Sequence, residues 1–287
     1  MNILVFGGTR FFGIHLVREL LAMGHKVTIA TRGKARDEFG DRVKRLTIEK
    51  TDPQSLKETF AEKEYDLVYD NLAYASNDVK HTLDNVTCQR YILMSSTAVY
   101  QKHMDTREED FDPASYELTW CSRPDFSYEE VKRQAECALT QKYASQDSVA
   151  ARYPFVLGDD DYTKRLEFYV EHILKGIPMH VDNVENQMGF IRSDEAGRFL
   201  AFLADKDYRG PINGCSHGTK SIREIADYIE KKTGRKPVYS EQGDPAPYNG
   251  EPAYSINIDR AEGLGFQFLR LDEWIYPLLD RLIEKTI

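Results

Sequence analysis

Short apolar runs alternate with segments of helical periodicity through the first half of the chain. Asn2–Phe6 has the length and composition of a buried strand. The segment after Gly13 carries apolar residues at helical spacing up to Gly24, a residue that favours a helix C-terminus, and these positions are Leu16, Val17, Leu20 and Leu21. Further strands are predicted at residues 26–30, 45–48, 66–70, 91–94 and 148–153, with helices at residues 54–62, 78–84 and 128–143. This alternation predicts an α/β fold with a doubly wound parallel sheet.

The alternation loosens after Pro154, and helical patterns dominate the rest of the chain. These helices are predicted at residues 163–175, 193–204, 221–233 and 271–284. We therefore predict a nucleotide-binding domain over residues 1–154 and a smaller α-rich substrate domain over residues 155–287, with residues 190–204 packing back on the first. Residues 101–126 are charged, carry prolines and lack periodicity, which predicts a long loop of a kind that usually serves a function.

A glycine-rich turn joins the first predicted strand to the first helix. Its residues are Gly7, Gly8, Thr9, Arg10, Phe11, Phe12 and Gly13. Glycine tolerates the backbone angles of a tight turn, and a turn at this place aims backbone N–H groups and the helix N-terminus at a pyrophosphate. The order of strand, turn, helix and strand predicts a Rossmann fold that binds a dinucleotide, against the alternative of the same unit without a ligand.

Two features of this region favour NADP over NAD. Arg10 replaces the middle glycine of the usual fingerprint, so its side chain must point away from the pyrophosphate. The second predicted strand runs into Thr31 and Arg32, where the acidic residue that would accept hydrogen bonds from a free ribose 2′-hydroxyl is missing. Because arginine pairs bidentately with phosphate, Arg10 and Arg32 predict recognition of the 2′-phosphate. NADP is therefore the predicted cofactor and NAD the alternative.

The composition of the chain argues against nucleic acid and anionic membranes as general binding partners. The formal net charge of -9 argues against a general nucleic-acid or anionic-membrane surface, which needs clustered cations. Four cysteines without CxxC spacing or nearby histidines favour free thiols in a reducing compartment, and no metal site is predicted. Met1 leads directly into the first strand, and no apolar run approaches the ~20 residues of a membrane span. We predict a cytoplasmic protein with a small-molecule substrate.

Tyr128 and Lys132 lie four residues apart near the start of a predicted helix, so their side chains share one face. The pKa of a phenol must fall by roughly three units for acid and base work near neutrality, which is ~4 kcal/mol. A lysine ammonium ~4 Å away supplies about that much at an effective dielectric constant of about 20. An accidental pair on a solvated helix is the alternative, but the hydroxyls of Ser95 and Ser96 after strand five favour a reductase site.

With these residues in view, the chain resembles the extended and atypical short-chain dehydrogenase/reductases, the group that holds NAD-dependent epimerases and dehydratases of nucleotide sugars. Residues 93–100 look like the family's fifth-strand motif, which implies that Ser96 carries the catalytic hydroxyl. Tyr128 and Lys132 look like the catalytic pair of the family's tyrosine helix. The resemblance further implies cofactor contacts at Glu49, Ala73, Ser95, Tyr153, Pro154 and Val156.

Departures from the family pattern bear on the substrate and on partners. Sugar-nucleotide epimerases usually carry an asparagine after the sixth strand that helps hold the diphosphate, and residues 152–155 contain none. The glycine turn looks more like an atypical branch that includes chloroplast stem-loop RNA-binding relatives. Lys164, Arg165 and Arg192 either hold an anionic substrate or are ordinary surface charges. Related enzymes often pair through the tyrosine helix and the helix before it, which implies a homodimer.

Two functional interpretations follow. The first is an NADP(H)-dependent oxidoreductase or epimerase acting on a secondary alcohol or carbonyl of a sugar-like or nucleotide-linked substrate. In that interpretation Tyr128 exchanges the proton, Lys132 lowers its pKa, and Ser96 hydrogen-bonds the reacting oxygen. The second is a catalytically silent dinucleotide-binding scaffold associated with RNA. The intact set of three residues and the acidic net charge favour the enzyme.

Overall fold

The computed structural model describes residues 1–287. Its strands are β1 (Asn2–Phe6), β2 (Lys26–Thr31), β3 (Val43–Thr47), β4 (Glu64–Asp70), β5 (Thr87–Ser96), β6 (Asp147–Tyr153), β7 (Phe155–Leu157), β8 (Met179–His180), β9 (Phe190–Arg192), β10 (Gly210–Asn213) and β11 (Asp244–Pro245). Its helices are α1 (Phe12–Ala22), α2 (Pro53–Phe60), α3 (Ser76–Leu83), α4 (Tyr128–Cys137), α5 (Arg165–Lys175), α6 (Ser193–Phe202), α7 (Ile222–Thr233), α8 (Asp259–Gly263) and α9 (Leu271–Thr286).

Seven strands form one parallel sheet in the order β10–β6–β5–β4–β1–β2–β3. The order reverses between β1 and β4, which is the topological switch point of a doubly wound sheet. Two short parallel pairs, β7 with β9 and β8 with β11, lie outside this sheet. The predicted α/β Rossmann class is therefore confirmed.

Both faces of the sheet are covered by helices. In β1, Ile3 and Val5 face the core that contains α1 and α6, whereas Leu4 and Phe6 face the core that contains α2, α3 and α4. Successive strand side chains point to opposite faces, so a strand covered on both sides must be apolar at nearly every position. That requirement explains the continuous apolar runs of the sequence.

The fifth strand is longer than its apolar run. β5 begins at Thr87, four residues before the predicted start at residue 91, and this polar beginning includes Arg90. The Arg90 guanidinium is buried but donates to Asp147 at 3.0 Å and to the carbonyl of Tyr208 at 2.9 Å. Asp147 neutralises the guanidinium, and only its Nε is left without a hydrogen-bond partner, so the buried arginine is acceptable in the strand. The apolar pattern alone therefore predicted a strand that is too short at its N-terminal end.

The chain returns to the sheet after the predicted boundary at residue 154. β10 pairs with β6 at the sheet edge, and α6 packs directly on α1. At Gly197 of α6, an added Cβ would lie 2.5 Å from the Cβ of His15, so only glycine permits this approach. The apolar core on this face continues without a break into α5, α7 and α9. Residues 155–287 thus share a core with the sheet instead of forming an independent unit.

The described chain contains four free cysteines and no cluster of three or more His, Cys, Asp or Glu side chains arranged to hold a metal ion. None of its helices combines the length and the apolar character that crossing a bilayer requires.

Candidate active site

The glycine turn forms a backbone cradle at the carboxyl end of β1. Gly7 has a φ of 74°, a conformation that side chains disfavour. A Cβ at Gly13 would lie 3.2 Å from the carbonyl oxygen of Gly7, and one at Gly8 would lie 2.9 Å from Val17. No side chain caps the first N–H groups of α1. The N–H groups of Gly13 and Ile14 donate to the carbonyls of Arg10 and Phe11 at 3.1 and 3.0 Å. The turn thus places the N-terminal end of α1, with its partial positive charge, beside the cradle, which is where a pyrophosphate binds in such turns.

A cleft of about 410 Å³ opens above this cradle. Twelve of the predicted site residues line it: Gly7, Gly8, Thr9, Arg10, Phe11, Phe12, Gly13, Thr31, Arg32, Ser95, Tyr128 and Lys132. The sequence reasoning assigned no site role to several further lining residues, Lys34, Ala35, Asn71, Leu72, Tyr74, Met94 and Tyr162. The structure thus brings the glycine turn and the tyrosine helix to one cavity.

A second cavity of about 330 Å³ adjoins the cleft at the end of β2 and β3. Glu49 lines this cavity, and Thr31, Arg32, Leu72 and Tyr74 border both spaces. Together the two cavities extend from the glycine turn past the second strand, where the adenosine half of a dinucleotide lies in this fold. The predicted adenine contact Glu49 is consistent with this geometry.

Four predicted cofactor contacts do not line either cavity. Ala73 is fully buried and only its carbonyl is engaged, accepting from Lys132 Nζ at 2.9 Å. The side chain of Tyr153 points away from the cleft, and its hydroxyl donates to the carbonyl of Ala196 at 2.8 Å. Pro154 and Val156 are also buried. These positions were predicted from the resemblance, and here the side chain of Tyr153 holds α6 on the sheet instead.

Unpaired cations surround the adenosine end. Arg10, Arg32 and Lys34 line the cleft with exposed side chains, and none makes an ion pair or hydrogen bond within the chain. Thr31 adjoins them and accepts a hydrogen bond from the N–H of Gly33 at 3.1 Å. Such guanidinium groups are free to pair with a phosphate.

The reacting end is organised around Tyr128, Lys132 and Ser96. The ring of Tyr128 is 36% exposed and borders the cleft, and Ser96 lies near its hydroxyl. Ser96 itself accepts from the N–H of Ala98 at 3.1 Å. Lys132 is buried, and its ammonium donates to the carbonyls of Ala73 and Met94 at 2.9 and 2.8 Å. Tyr128 and Lys132 therefore line the same cleft, whereas the predicted catalytic Ser96 lines neither cavity.

The electrostatics of this end differ from the expectation. Burial raises the pKa of Tyr128, while the nearby Ser96 hydroxyl and the charges of Arg165, Arg123 and Lys102 act in the opposite direction. Burial also lowers the pKa of Lys132 to about 8. The predicted lowering of the Tyr128 pKa by Lys132 is wrong for the free protein, because that ammonium is directed at backbone carbonyls. Tyr128 is a neutral phenol at neutral pH.

A buried ion pair supports the reacting end from below. Ser95 donates to Glu136 at 2.5 Å, and Glu136 pairs with Arg152, whose guanidinium is fully buried. Arg152 also donates to the hydroxyl of Tyr100 at 2.8 Å and to the carbonyl of Glu108 at 2.9 Å. The pair thus joins β5, β6, α4 and the long loop. Its partners are distant in sequence, so no local pattern could have revealed it.

A second buried pair lies behind the adenosine-end cavity. Lys50 contacts the carboxylate of Asp70 at 2.9 Å, and Tyr91 donates to the same carboxylate at 2.8 Å. Asp78 accepts from the N–H groups of Tyr74 and Ala75 at 2.8 and 3.0 Å, which fixes the start of α3. These contacts hold the loop after β4 against the cavity.

The long loop covers the helices through which a homodimer was predicted. Thr119 donates its N–H to Gln134 of α4 at 2.6 Å, and Ser76 of α3 donates to the carbonyl of Thr119 at 2.8 Å. No residue of α3 is exposed, and none of α4 is exposed beyond Glu129. The long loop therefore packs against part of the surface that the predicted dimer would use, and the homodimer stays a prediction.

Two of the three residues predicted to hold an anionic substrate, Lys164 and Arg192, interact with carboxylates of the chain instead. Arg192 pairs with Asp194, and the exposed Lys164 lies 3.5 Å from Glu167. Arg165 is half-buried and has no partner within the chain. Only Arg165 therefore retains its full capacity to bind an anion.

Comparisons with known proteins agree with this architecture. Residues 3–89 match the model of the NAD dependent epimerase/dehydratase family. The chloroplast stem-loop binding protein of 41 kDa b from Arabidopsis thaliana is 28% identical over 225 residues, which cover 71% of this chain and 56% of that protein. The chain thus spans little more than half the length of this curated relative.

Solved structures share the fold at low sequence identity. UDP-glucose 4-epimerase from Thermotoga maritima, solved with UDP-glucose, is 18% identical with a TM-score of 0.77 over 100% of this chain and 99% of that one. UDP-glucose 4-epimerase from Thermus thermophilus, solved with NAD, is 18% identical with a TM-score of 0.69 over 98% and 99%. The N-terminal part of the chain is therefore similar to the NAD-dependent epimerase/dehydratase family, and the whole chain shares the fold of solved epimerases.

Proposed function

We propose that this protein is an NADP(H)-dependent oxidoreductase or epimerase that acts on a secondary alcohol or carbonyl. The observation that carries the proposal is the convergence of Tyr128 and Lys132 on the cleft that begins at the glycine turn. Tyr128 borders the cleft near Ser96, which is the position that a proton donor to a bound substrate would need. The match of residues 3–89 to the epimerase/dehydratase family supports the same reaction class.

The residues present fit a dinucleotide. The turn is packed so tightly that a Cβ at Gly13 would lie 3.2 Å from the carbonyl oxygen of Gly7, and the adjoining cavity offers Glu49 to the adenine and Arg32 to a 2′-phosphate. Arg10 and Lys34 add positive charge at the same end. When bound, the nicotinamide ring would supply hydride exchange with the substrate carbon. The unpaired arginines favour NADP over NAD.

Tyr128 acts first as a proton donor in this mechanism. Its raised pKa keeps the phenol protonated at neutral pH, so it gives its proton to a carbonyl oxygen as that oxygen gains negative charge. Ser96 lies beside it and donates a hydrogen bond to the same oxygen. Lys132 remains largely charged below pH 8, and it orients the edge of the site through the carbonyls of Ala73 and Met94.

The proposed substrates are sugar-like polyols, led by nucleotide-linked sugars. Solved relatives of the fold were crystallised with UDP-glucose and with NAD, which supports testing these ligands first. The missing asparagine after β6 means that a uridine diphosphate group would need other ligands here.

The test is the Tyr128→Phe variant, which removes the acidic proton and preserves the ring. Its kcat should fall by ~10²–10⁴ while the dissociation constant for NADP stays the same. A matched control is Tyr116→Phe, which removes a hydroxyl that donates to Glu130 outside the cleft. Full activity in Tyr128→Phe, once a substrate is known, would reject the mechanism.

A dinucleotide-binding scaffold associated with RNA is the second candidate. The similarity to a stem-loop binding protein favours it. The two functions are separated by one comparison, in which the protein is titrated with a stem-loop RNA and with NADPH at physiological salt. Submicromolar RNA binding without turnover of any nucleotide sugar would favour the scaffold. The net charge of -9 predicts that RNA binding is weak, because the phosphate backbone is repelled.

A further inference from the structure

The last part of the long loop crosses α4 and α3. This segment, residues 113–126, is termed the strap. Gln134 of α4 accepts a hydrogen bond from the N–H of Thr119 at 2.6 Å, and the N–H of Asn77 on α3 donates to the carbonyl of Cys121 at 3.0 Å. These contacts place the end of the strap over the start of α3, next to the adenosine-end cavity.

The strap is held mainly by such hydrogen bonds. Among its residues only Pro113 and Cys121 are buried, whereas Trp120 and Phe126 are 42% and 47% exposed. A segment that buries few apolar groups opens at a small cost in free energy. The strap can therefore detach from α3 and α4 while both cores of the sheet stay intact.

The end of the strap forms one wall of the adenosine-end cavity. Ser122, Arg123 and Pro124 line this cavity, and no residue of the strap lines the cleft. The other lining residues belong to α3, to the end of β2, and to the loops that follow β2, β3 and β4. A base bound in this cavity would thus lie between the carboxyl edge of the sheet and the strap, which would shield it from water.

Arg123 connects this wall to the reacting end. Its guanidinium carbon is 5.5 Å from the ring centre of Tyr128 and 5.8 Å from that of Tyr74. Tyr74 borders both the cavity and the cleft. A guanidinium beside an aromatic ring is attracted to it, so the strap in its closed position keeps a cation against the ring of the proposed acid.

We infer that the strap is part of the dinucleotide site, where it closes over the adenosine half of the cofactor and the bound adenosine half holds Arg123 against Tyr128. This inference rests on the dinucleotide binding of the proposed function. A ligand that binds only the closed strap lowers the population of the open strap by one plus the ratio of its concentration to its dissociation constant. The nicotinamide half lies in the cleft, which the strap does not line, and should not hold the strap closed.

Limited digestion of the native protein with chymotrypsin tests this inference. The protease cuts after Trp120 and Phe126 only when the strap is detached, so the rate of cleavage reports the open population. NADP⁺ at about ten times its calorimetric dissociation constant should slow cleavage in the strap about tenfold. Adenosine 2′,5′-bisphosphate, which is the adenosine half alone, should protect the strap equally at the same degree of saturation. Nicotinamide mononucleotide should not protect it.

Cleavage after Tyr239 is the internal control. Tyr239 is 38% exposed and lines neither cavity, so its rate of cleavage should not change with ligand. Equal slowing at Tyr239 and in the strap would mean that the ligand stabilises the whole fold, which overturns the inference. Rapid cleavage of the strap at saturating NADP⁺, or protection by nicotinamide mononucleotide alone, overturns it as well.

Two variants loosen the strap from different sides. Asn77→Ala removes an amide that donates to the hydroxyl of Ser122 at 3.1 Å and lines neither cavity. Without ligand, its strap should be cleaved about fivefold faster, the scale of one lost hydrogen bond. Arg123→Gln removes the contact with both tyrosine rings and should speed cleavage about threefold.

The matched control is Asn85→Ala. Asn85 follows the other end of α3, and its amide donates to the carbonyl of His81 at 2.9 Å. This variant should leave cleavage in the strap within about twofold of the wild type. If Asn77→Ala and Arg123→Gln are cleaved no faster than Asn85→Ala, the contacts named here do not hold the strap and the inference is overturned.

Failure of the proposed function has a different signature from failure of the inference. Protection of the strap by NADP⁺ without turnover of any alcohol or carbonyl compound rejects the reaction and leaves the strap in the dinucleotide site. Calorimetric binding of NADP⁺ without protection of the strap rejects the inference and leaves the proposed function standing. Absence of binding by NADP⁺, NAD⁺ and adenosine 2′,5′-bisphosphate rejects both.

Discussion

The two ends of the cleft are built in opposite ways. At the adenosine end, the recognition groups are backbone N–H donors and the exposed, unpaired side chains of Arg10 and Arg32. At the reacting end, Lys132 is buried with both of its carbonyl acceptors in place, and Ser95 is tied to the ion pair of Glu136 and Arg152. The side chains of Arg10 and Arg32 thus have no partners within the protein, whereas the polar groups of Lys132 and Ser95 are hydrogen-bonded to other parts of the chain.

This difference predicts how each end responds to substitution. An exposed cation contributes to ligand binding but little to folding, because water solvates it equally in the folded and unfolded chain. A buried charge has lost that water, so its partners are part of the fold. Changes at the adenosine end should therefore alter affinity alone, and changes below the reacting end should alter stability as well.

Arg152→Met should produce the largest effect. It leaves Glu136 as an uncompensated buried carboxylate and removes donors from Tyr100 and the carbonyl of Glu108. The free energy of unfolding should fall by about 3–5 kcal/mol in urea denaturation. The double variant Arg152→Met/Glu136→Met removes both charges and should recover much of that loss. A single variant as stable as the wild type would mean that the pair does not support the site.

Lys132 should make stability depend on pH in the alkaline range. Its pKa in the folded protein is about 8, against an ordinary value of 10.5. Between these values the unfolded chain binds more protons, so the free energy of unfolding should rise with pH, by up to ~3 kcal/mol relative to Lys132→Met. Below pH 8 the penalty for the buried charge is fully present. Urea midpoints at pH 7.5, 9 and 10.5 measure it.

The control for this pH effect is Lys34→Met, which removes an exposed ammonium from the adenosine end. Its stability relative to the wild type should not vary over the same range. A flat difference between the wild type and Lys132→Met would instead show that Lys132 is as well solvated as Lys34.

Arg32→Ala should weaken NADP binding by roughly 1.5–3 kcal/mol, the scale of a hydrogen bond to a charged group, and leave NAD binding nearly unchanged. The reason is that only NADP carries the 2′-phosphate that Arg32 would contact from the end of β2. Calorimetric titration of both cofactors into the wild type and the variant measures the difference. Equal losses for NAD and NADP would place Arg32 on a group that the two cofactors share.

The smallest effect is expected for Arg10→Gln on folding. Arg10 is exposed and makes no contact that stabilises the chain, so the free energy of unfolding should stay within about 0.5 kcal/mol of the wild type. Urea denaturation without cofactor tests this. A larger fall in the free energy of unfolding would show that Arg10 supports the fold, as the buried groups of the reacting end do.

The sequence was sufficient to predict the features that depend only on residues close together in the chain. The apolar runs, the glycines of the turn, and the spacing of Tyr128 and Lys132 predicted the confirmed Rossmann class and twelve of the nineteen residues that line the cleft. Each of these signals depends on neighbours within one or two turns of the chain. The side chain of Tyr153 is different, because its direction is set by the carbonyl of Ala196 on a distant helix.

The sequence by itself determined the parallel sheet, the cradle for a dinucleotide and the identity of the candidate acid, because strand composition, glycine geometry and helical spacing are properties of short segments. Only the tertiary structure decided the charge state of that acid and the partners of Lys132. These properties depend on burial and on partners contributed by remote segments, as in the Glu136 and Arg152 pair. Desolvation acts on the folded surroundings of a group, and no short stretch of sequence contains that information.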